Sequence, residues 1–333
     1  MTVASAGYER LPAVPYDPQL LAGMEMMRQL FEPVPLRADT ILSSREHVDR
    51  LTAAGDVAQL AGDAPVRIRE VSIPGPDAAA PEIVLTIISP ADGVQVGPGL
   101  YAIHGGGMVL GNRFMAVGQA VPLVVEFGAV AVSVEYRLAP EDPWPAGVED
   151  CYAGLVWFAA HAEELGVDPE RILVLGSSAG GGLSAAVSLL ARERGGPALA
   201  GQLLDAPMID DRNESASTRQ YDMVGLWDRN NNDTAWTALL GEQAGTDAVH
   251  WSAAPNRMPD LSGLPPAFIE VGAAEIFRDE AVAYATRIWE AGGQAELHVW
   301  AGAHHGFSGF SPESHVGRAA NEVRLNWLHR ILG

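Results

Sequence analysis

Apolar and polar positions follow two rhythms along this chain. Short apolar runs recur from residue 66 onward, and most are followed by a stretch with helical spacing. Val66–Ile73 and Ile83–Ser89 read as an antiparallel pair joined by a Pro/Gly/Ala-rich linker. From residue 99 the alternation is regular. Strands are expected over Gly99–Ile103, Val130–Glu135, Ile172–Leu175, Ala200–Leu204, Pro266–Val271 and Ala295–Trp300. Helices are expected over Asn112–Phe127, Ala146–Glu164, Ala179–Arg194, Asp279–Ala291 and Val316–Leu332. Repeated strand–helix units predict an α/β fold with a mainly parallel, eight-stranded sheet flanked by helices, because right-handed crossovers pack each helix back onto the sheet.

Two stretches break the rhythm. Residues 1–55 have helical spacing over Asp17–Phe31 and Ser44–Ala54, separated by Pro33 and Pro35. Residues 207–256 are polar, with Asp210-Asp211, Asn230-Asn231-Asn232 and scattered Trp227, Trp236 and Trp251. An excursion of that length is more often a lid than a featureless loop. The expected division is N-terminal cap helices over 1–55, a catalytic α/β domain over 56–206 and 257–333, and a cap insertion over 207–256. Such a cap would cover the carboxyl ends of the strands, where ligands bind in open α/β sheets. The plainer alternative for the insertion is a surface excursion remote from any chemistry.

With 333 residues, 48% of them hydrophobic and 19% charged, the chain can bury a large core. A formal net charge of −21 argues against nucleic acid and anionic membranes as partners. All 21 basic residues are arginine, which excludes lysine Schiff-base chemistry and lysine-dependent phosphate sites. Cys151 is the only cysteine, so no intrachain disulfide can form. There is no basic-then-apolar N-terminal signal and no apolar run of 18 residues, so a soluble, cytoplasmic protein is expected.

The chemistry lies in three places. Gly176-Ser177-Ser178-Ala179-Gly180 follows an expected strand and opens an expected helix, the setting of a nucleophile elbow with Ser178 at its apex. His104-Gly105-Gly106-Gly107 follows the strand Gly99–Ile103. Three glycines in a row weaken regular structure but let backbone N–H groups approach a ligand, so Gly106, Gly107 and Ala179 are the expected oxyanion donors, with His104 supporting the loop. His305 follows the last strand, where a triad base belongs; its neighbour His304 competes on composition alone. The acid belongs after the preceding strand, at Glu275 or Asp279. Glu275 is favoured, because Asp279 opens a helix, where aspartate is common as a cap. Together these read as a serine hydrolase on an α/β-hydrolase scaffold, needing no metal and no cofactor. Met24, Met27, Phe31, Met108, Trp227 and Phe307 are candidate pocket residues, although methionine and aromatic residues at helical spacing are as often ordinary core.

These residues resemble the hormone-sensitive lipase family, also called bacterial family IV esterases. The likeness runs from about residue 65 to the C-terminus. It includes His104-Gly-Gly-Gly, Glu135-Tyr-Arg-Leu-Ala-Pro-Glu-Asp-Pro-Trp-Pro-Ala146, the elbow, Arg278-Asp-Glu280 and His305-Gly-Phe307. The resemblance implies Ser178 as nucleophile, His305 as base and Gly106, Gly107 and Ala179 as oxyanion donors. It also implies a cap, a small-molecule ester as substrate with short or medium acyl chains, and frequent homodimers. Two positions depart from the family pattern: Ser177 stands where aspartate is common, and Glu275 where the acid is usually aspartate. Glutamate is an accepted triad acid in this fold. The expected activity is that of a carboxylesterase; amides, lactones or other acyl compounds on the same site, and a non-catalytic small-molecule receptor, are the alternatives.

Overall fold

Strands β1 (Val66–Ile73), β2 (Ile83–Pro90), β3 (Gly97–Ile103), β4 (Val130–Val134), β5 (Val167–Ser177), β6 (Gly201–Asp205), β7 (Ala267–Gly272) and β8 (Ala295–Trp300) form one sheet in the order β1-β2-β4-β3-β5-β6-β7-β8. β1 pairs with β2, and β2 with β4, antiparallel; every other pairing is parallel. This computed structural model describes residues 10–31, 35–52, 60–93 and 96–333. Every residue of β3, β4 and β7 is buried, as a strand covered on both faces must be.

Ten α-helices are resolved among the described residues: α1 (Leu21–Phe31), α2 (Ile41–Thr52), α3 (Phe114–Phe127), α4 (Ala146–Ala160), α5 (Ala179–Arg194), α6 (Ala216–Gln220), α7 (Arg229–Leu240), α8 (Arg278–Glu290), α9 (Phe307–Phe310) and α10 (His315–Leu332). Successive strand side chains point to opposite faces, and the two cores follow that period. Leu100, Ala102, Leu173, Leu175, Leu203 and Phe268 pack beneath α3 and α10. Tyr101, Ile103, Val174, Leu204 and Ile269 pack beneath α4, α5 and α8.

The boundaries depart from the sequence expectation where polar residues interrupt the pattern. β5 begins at Val167 rather than Ile172, because Val167 pairs with Gly97 before a register shift; the intervening Asp168-Pro169-Glu170-Arg171 hides the strand. Asp17 accepts a hydrogen bond from the Gln19 N–H at 2.8 Å and caps a separate 3₁₀ turn, Pro18–Leu20, ahead of α1. Residues 1–9, Pro33, the expected helix end at Ala54 and the expected boundary at 55–56 lie outside the described residues.

The 207–256 segment holds two helices that the apolar pattern did not predict. Asp228 caps α7 by accepting from the Asn231 N–H, and Ala235, Trp236 and Leu239 turn inward. Asparagine is a weak helix former, so Asn230-Asn231-Asn232 masked a helix held by its cap and its buried face. Long-range bonds fasten both irregular segments to the core. The Asp279 carboxylate accepts from the Ser217 N–H at 2.7 Å, and the Ser217 hydroxyl donates to the Ile276 carbonyl. Arg45 on α2 donates to the carbonyls of Val109 and Ala139 and pairs with Glu141 at 2.8 Å.

Candidate active site

Between the end of β5 and the start of α5, Ser178 takes φ 59°, ψ −123°. A non-glycine residue there is strained and persists only where its surroundings hold it. The Ser178 N–H donates to the Asp205 carbonyl at 2.8 Å, and the Ser178 carbonyl accepts from the Met208 N–H at 3.0 Å. The flanking glycines are a packing requirement. A Cβ on Gly176 would stand 2.3 Å from the Gly180 backbone, and one on Gly180 would stand 2.0 Å from the Ile103 carbonyl oxygen. The turn therefore closes against the end of β3, which delivers the His104–Gly107 loop to its side.

In that loop Gly106 (φ 113°) and Gly107 (φ 64°) adopt the left-handed backbone that favours glycine. The Gly106 carbonyl accepts from Val109 and Leu110, which curls the loop. The N–H groups of Gly106, Gly107 and Ala179 make no hydrogen bond to the described chain, the state expected of donors awaiting a ligand. His104 is buried. Its Nδ1 donates to the Gly105 carbonyl at 2.8 Å, its ring stacks on Tyr136 at 4.1 Å, and Nε2 is buried without a partner. A proton on Nε2 would bury an unpaired cation, so burial lowers its pKa from 6.5 to about 4.

That shift has a consequence for stability. The unfolded chain takes up a proton on His104 below pH 6.5, and the folded chain does so only near pH 4. Through this group the folded state therefore loses about 3 kcal/mol of stability as pH falls across that window, and His104 contributes no further loss below it. His104→Asn, which keeps a donor near the Nδ1 position, should lose less stability than wild type between pH 7 and pH 4. Urea unfolding at both pH values checks this; equal losses in the two proteins would contradict it.

The two loops after β7 and β8 are knitted together. The Ala273 N–H donates to the Trp300 carbonyl at 2.8 Å, and the Ala274 N–H to the Ala303 carbonyl at 2.9 Å. This brings Glu275 beside His305, whose Nδ1 lies 3.1 Å from Glu275 Oε2. Both are buried, and the ring of Phe277 packs edge-on against His305. Asp279 is engaged elsewhere, with Arg278 at 2.7 Å and with Ser217. His304 is buried, and its nitrogens face the carbonyls of His305 and Leu20. The structure thus places Glu275, not Asp279, against His305, and His305, not His304, against a carboxylate.

Ser178, His305, His104, Gly105 and Gly106 all line one cavity of about 1610 Å³. Met27 and Trp227 line it as well, and Trp227 lies over Gly107, with ring carbons 2.4 Å from where a Cβ there would stand. Three other pocket candidates do not line it. Met108 borders a separate small void with Tyr136, Trp144 and Leu183. Phe307 is buried with Leu20, Ala303 and Ala320, so its hydrophobic surface is spent on the core. Met24 is buried away from the cavity, and the side chain of Phe31 lies outside the described residues.

Sequence reasoning missed the support behind His305. Arg324 on α10 donates to the Ser308 hydroxyl at 3.1 Å, three residues past His305, and pairs with the buried Glu270 carboxylate, with Asn321 and Asp205 farther off at 3.5 and 4.0 Å. Trp300 donates to the same Glu270 at 3.1 Å. No local pattern marks partners 16 to 54 positions apart. Among the described residues, no group of three or more His, Cys, Asp or Glu side chains is placed to hold a metal ion, and no helix is long and apolar enough to cross a membrane.

Comparison with known proteins gives the site a context. The sequence pattern described as "alpha/beta hydrolase fold" matches residues 100–309. The carboxylesterase NlhH of Mycobacterium tuberculosis is 40% identical over 211 residues, which cover 62% of this chain and 66% of that protein. The carboxylic ester hydrolase LipN of the same organism is 35% identical over 277 residues, covering 81% and 70%. Among solved structures, a bacterial heroin esterase superposes with a TM-score of 0.86 at 36% identity, over 96% of this chain and 98% of that one.

Proposed function

Since the chain belongs to the α/β-hydrolase fold family, in its hormone-sensitive-lipase-like branch, we propose that it is a carboxylesterase that works through a Ser178–His305–Glu275 triad. The observation that carries this reading is a convergence. The strained Ser178, the His305–Glu275 pair and the loop of unpaired N–H groups open onto a single cavity. The relatives named above as ester hydrolases support the same reaction class.

The proposed mechanism uses these groups in turn. Ser178 Oγ attacks the ester carbonyl while His305 Nε2 takes its proton. Glu275 holds the ring through Nδ1–H and stabilises the imidazolium that forms. The negative charge on the tetrahedral oxygen is received by the N–H groups of Gly106, Gly107 and Ala179, aided by the N-terminal dipole of α5. His305 returns the proton to the leaving alkoxide, and an acyl group remains on Ser178. Water then attacks with His305 again as base, which releases the acid and restores the serine hydroxyl. α1, α2 and the 207–256 insertion act as the cap.

We propose short to medium acyl chains as substrates, as the family resemblance implies. The cavity exceeds the usual range for small-ligand pockets. Its lining includes Met27, Leu36 and Trp227 on the cap side. It also includes Leu123, Leu175, Leu203 and Leu325, from α3, β5, β6 and α10. With p-nitrophenyl esters from acetate to palmitate, kcat/KM should peak between butyrate and octanoate and fall roughly tenfold or more by palmitate, since each methylene that cannot be buried forfeits part of its transfer free energy. No turnover with any member of the series, from folded protein, would overturn the carboxylesterase reading and favour amides or lactones.

A further inference from the structure

The chain N-terminal to α1 crosses the loop that carries His305. The Asp17 N–H donates to the Gly302 carbonyl at 2.9 Å, and Leu20 is fully buried against Ala303 and Phe307. On its other side the segment is bound to the insertion: the Leu11 N–H donates to the Arg219 carbonyl, and the Tyr221 hydroxyl donates to the Val14 carbonyl at 2.9 Å. Tyr16 is held between the two. Its ring lies edge-on to His304 at 6.5 Å and tilted against Tyr221 at 6.2 Å.

Two of the orphaned polar atoms in this region concern the triad; Arg219 Nε and Gln220 Oε1, on the insertion, are also buried without a partner. The Tyr16 hydroxyl is buried and has no hydrogen-bond partner, and so is Glu275 Oε1. The other oxygen of Glu275 receives both His305 Nδ1 and the Phe277 N–H. One orphan is a donor and the other an acceptor, and backbone bonds bring their loops together: Asp17, beside Tyr16, is bonded to Gly302, and Ala274, beside Glu275, to the adjoining Ala303. Three other donors of the adjoining loops are spent. The Tyr221 hydroxyl serves Val14, the Ser217 hydroxyl serves Ile276, and Arg278 serves Asp279 and Ala273. Buried polar groups find partners in almost every protein.

We propose that Tyr16 is a positioning residue for the catalytic acid: its hydroxyl donates through one bridging water to Glu275 Oε1, and so keeps Oε2 turned toward His305. The inference rests on the triad reading above. It makes the segment N-terminal to α1 part of the catalytic apparatus, although Tyr16 does not itself line the substrate cavity. A donor on the carboxylate favours the proton-free, net-negative His305–Glu275 pair over the protonated pair. Removing it must therefore raise the apparent pKa of the acid limb, and it lowers kcat rather than raising KM.

The test compares Tyr16→Phe with Tyr221→Phe in the full chain, by kcat and KM from pH 5 to 9 and by melting temperature. Phenylalanine keeps the packed ring and deletes only an oxygen that makes no bond within the described chain. Tyr16→Phe should lower kcat about five- to tenfold, leave KM within about twofold and move the acid limb up by about half a pH unit. Tyr221→Phe, which loses a bond to a backbone carbonyl, should lower the melting temperature and leave the limb in place. A wild-type kcat and limb in Tyr16→Phe, or the same limb shift in both variants, overturns the proposal. If Ser178→Ala or Glu275→Ala retains full turnover, the triad reading itself has failed. If those two are inactive and Tyr16→Phe behaves as wild type, only the role of Tyr16 has failed.

Discussion

Ser178→Ala should abolish ester hydrolysis, with kcat falling by roughly 10⁴–10⁶. The loss is that large because one oxygen atom is removed and nothing replaces it. The next hydroxyl, on Ser177, belongs to β5, where the residue pairs in register with Asp205. Residual turnover would come from water attacking an ester still held by the oxyanion donors. The fold should survive. The backbone bonds of residue 178 to Asp205 and Met208 do not involve its side chain, and alanine suffers no greater strain than serine at that φ. A steady-state assay paired with a melting curve checks both halves of the expectation, a silent enzyme with a wild-type transition.

The second large effect separates the two acids. Glu275→Ala should lower kcat by roughly 10³–10⁴, because His305 loses the group that fixes its tautomer and stabilises its charged form. Asp279→Ala should lower kcat by less than about tenfold, since Asp279 acts on stability by accepting from Ser217 and pairing with Arg278. Its signature should be a lower melting temperature, with the insertion loosened from α8. Measured side by side, the reverse ranking of kcat would move the triad acid to Asp279 and overturn the reading of the 3.1 Å contact.

Much of this was legible in the sequence, for physical reasons that can be named. The parallel core declared itself because β3, β4 and β7 are buried on both faces and therefore read as unbroken apolar runs. The elbow and the glycine loop declared themselves because steric demands there leave glycine as the one residue that fits, as the 2.0 Å approach at Gly180 illustrates. Glu275 was favoured over Asp279 from strand order, and the structure places it beside His305. What was not legible depends on contacts distant in sequence. α7 owes its existence to a cap at Asp228 and a buried Trp236, not to helix propensity. Met108 and Phe307 carry the right chemistry for a pocket and are turned away from it by packing. The Arg324–Ser308 bond and the neighbourhood of Tyr16 and Glu275 join residues that no spacing rule connects.

The central claim is that a single serine at the elbow carries the chemistry, and covalent labelling tests it most directly. The wild-type protein is treated with an organophosphonate ester that mimics the tetrahedral intermediate, and the intact mass and the labelled peptide are then read. The account predicts one adduct per chain, located on Ser178, with hydrolytic activity lost in proportion to labelling and no adduct on Ser178→Ala. A label on any other residue, or full hydrolysis by protein stoichiometrically labelled at Ser178, would contradict it.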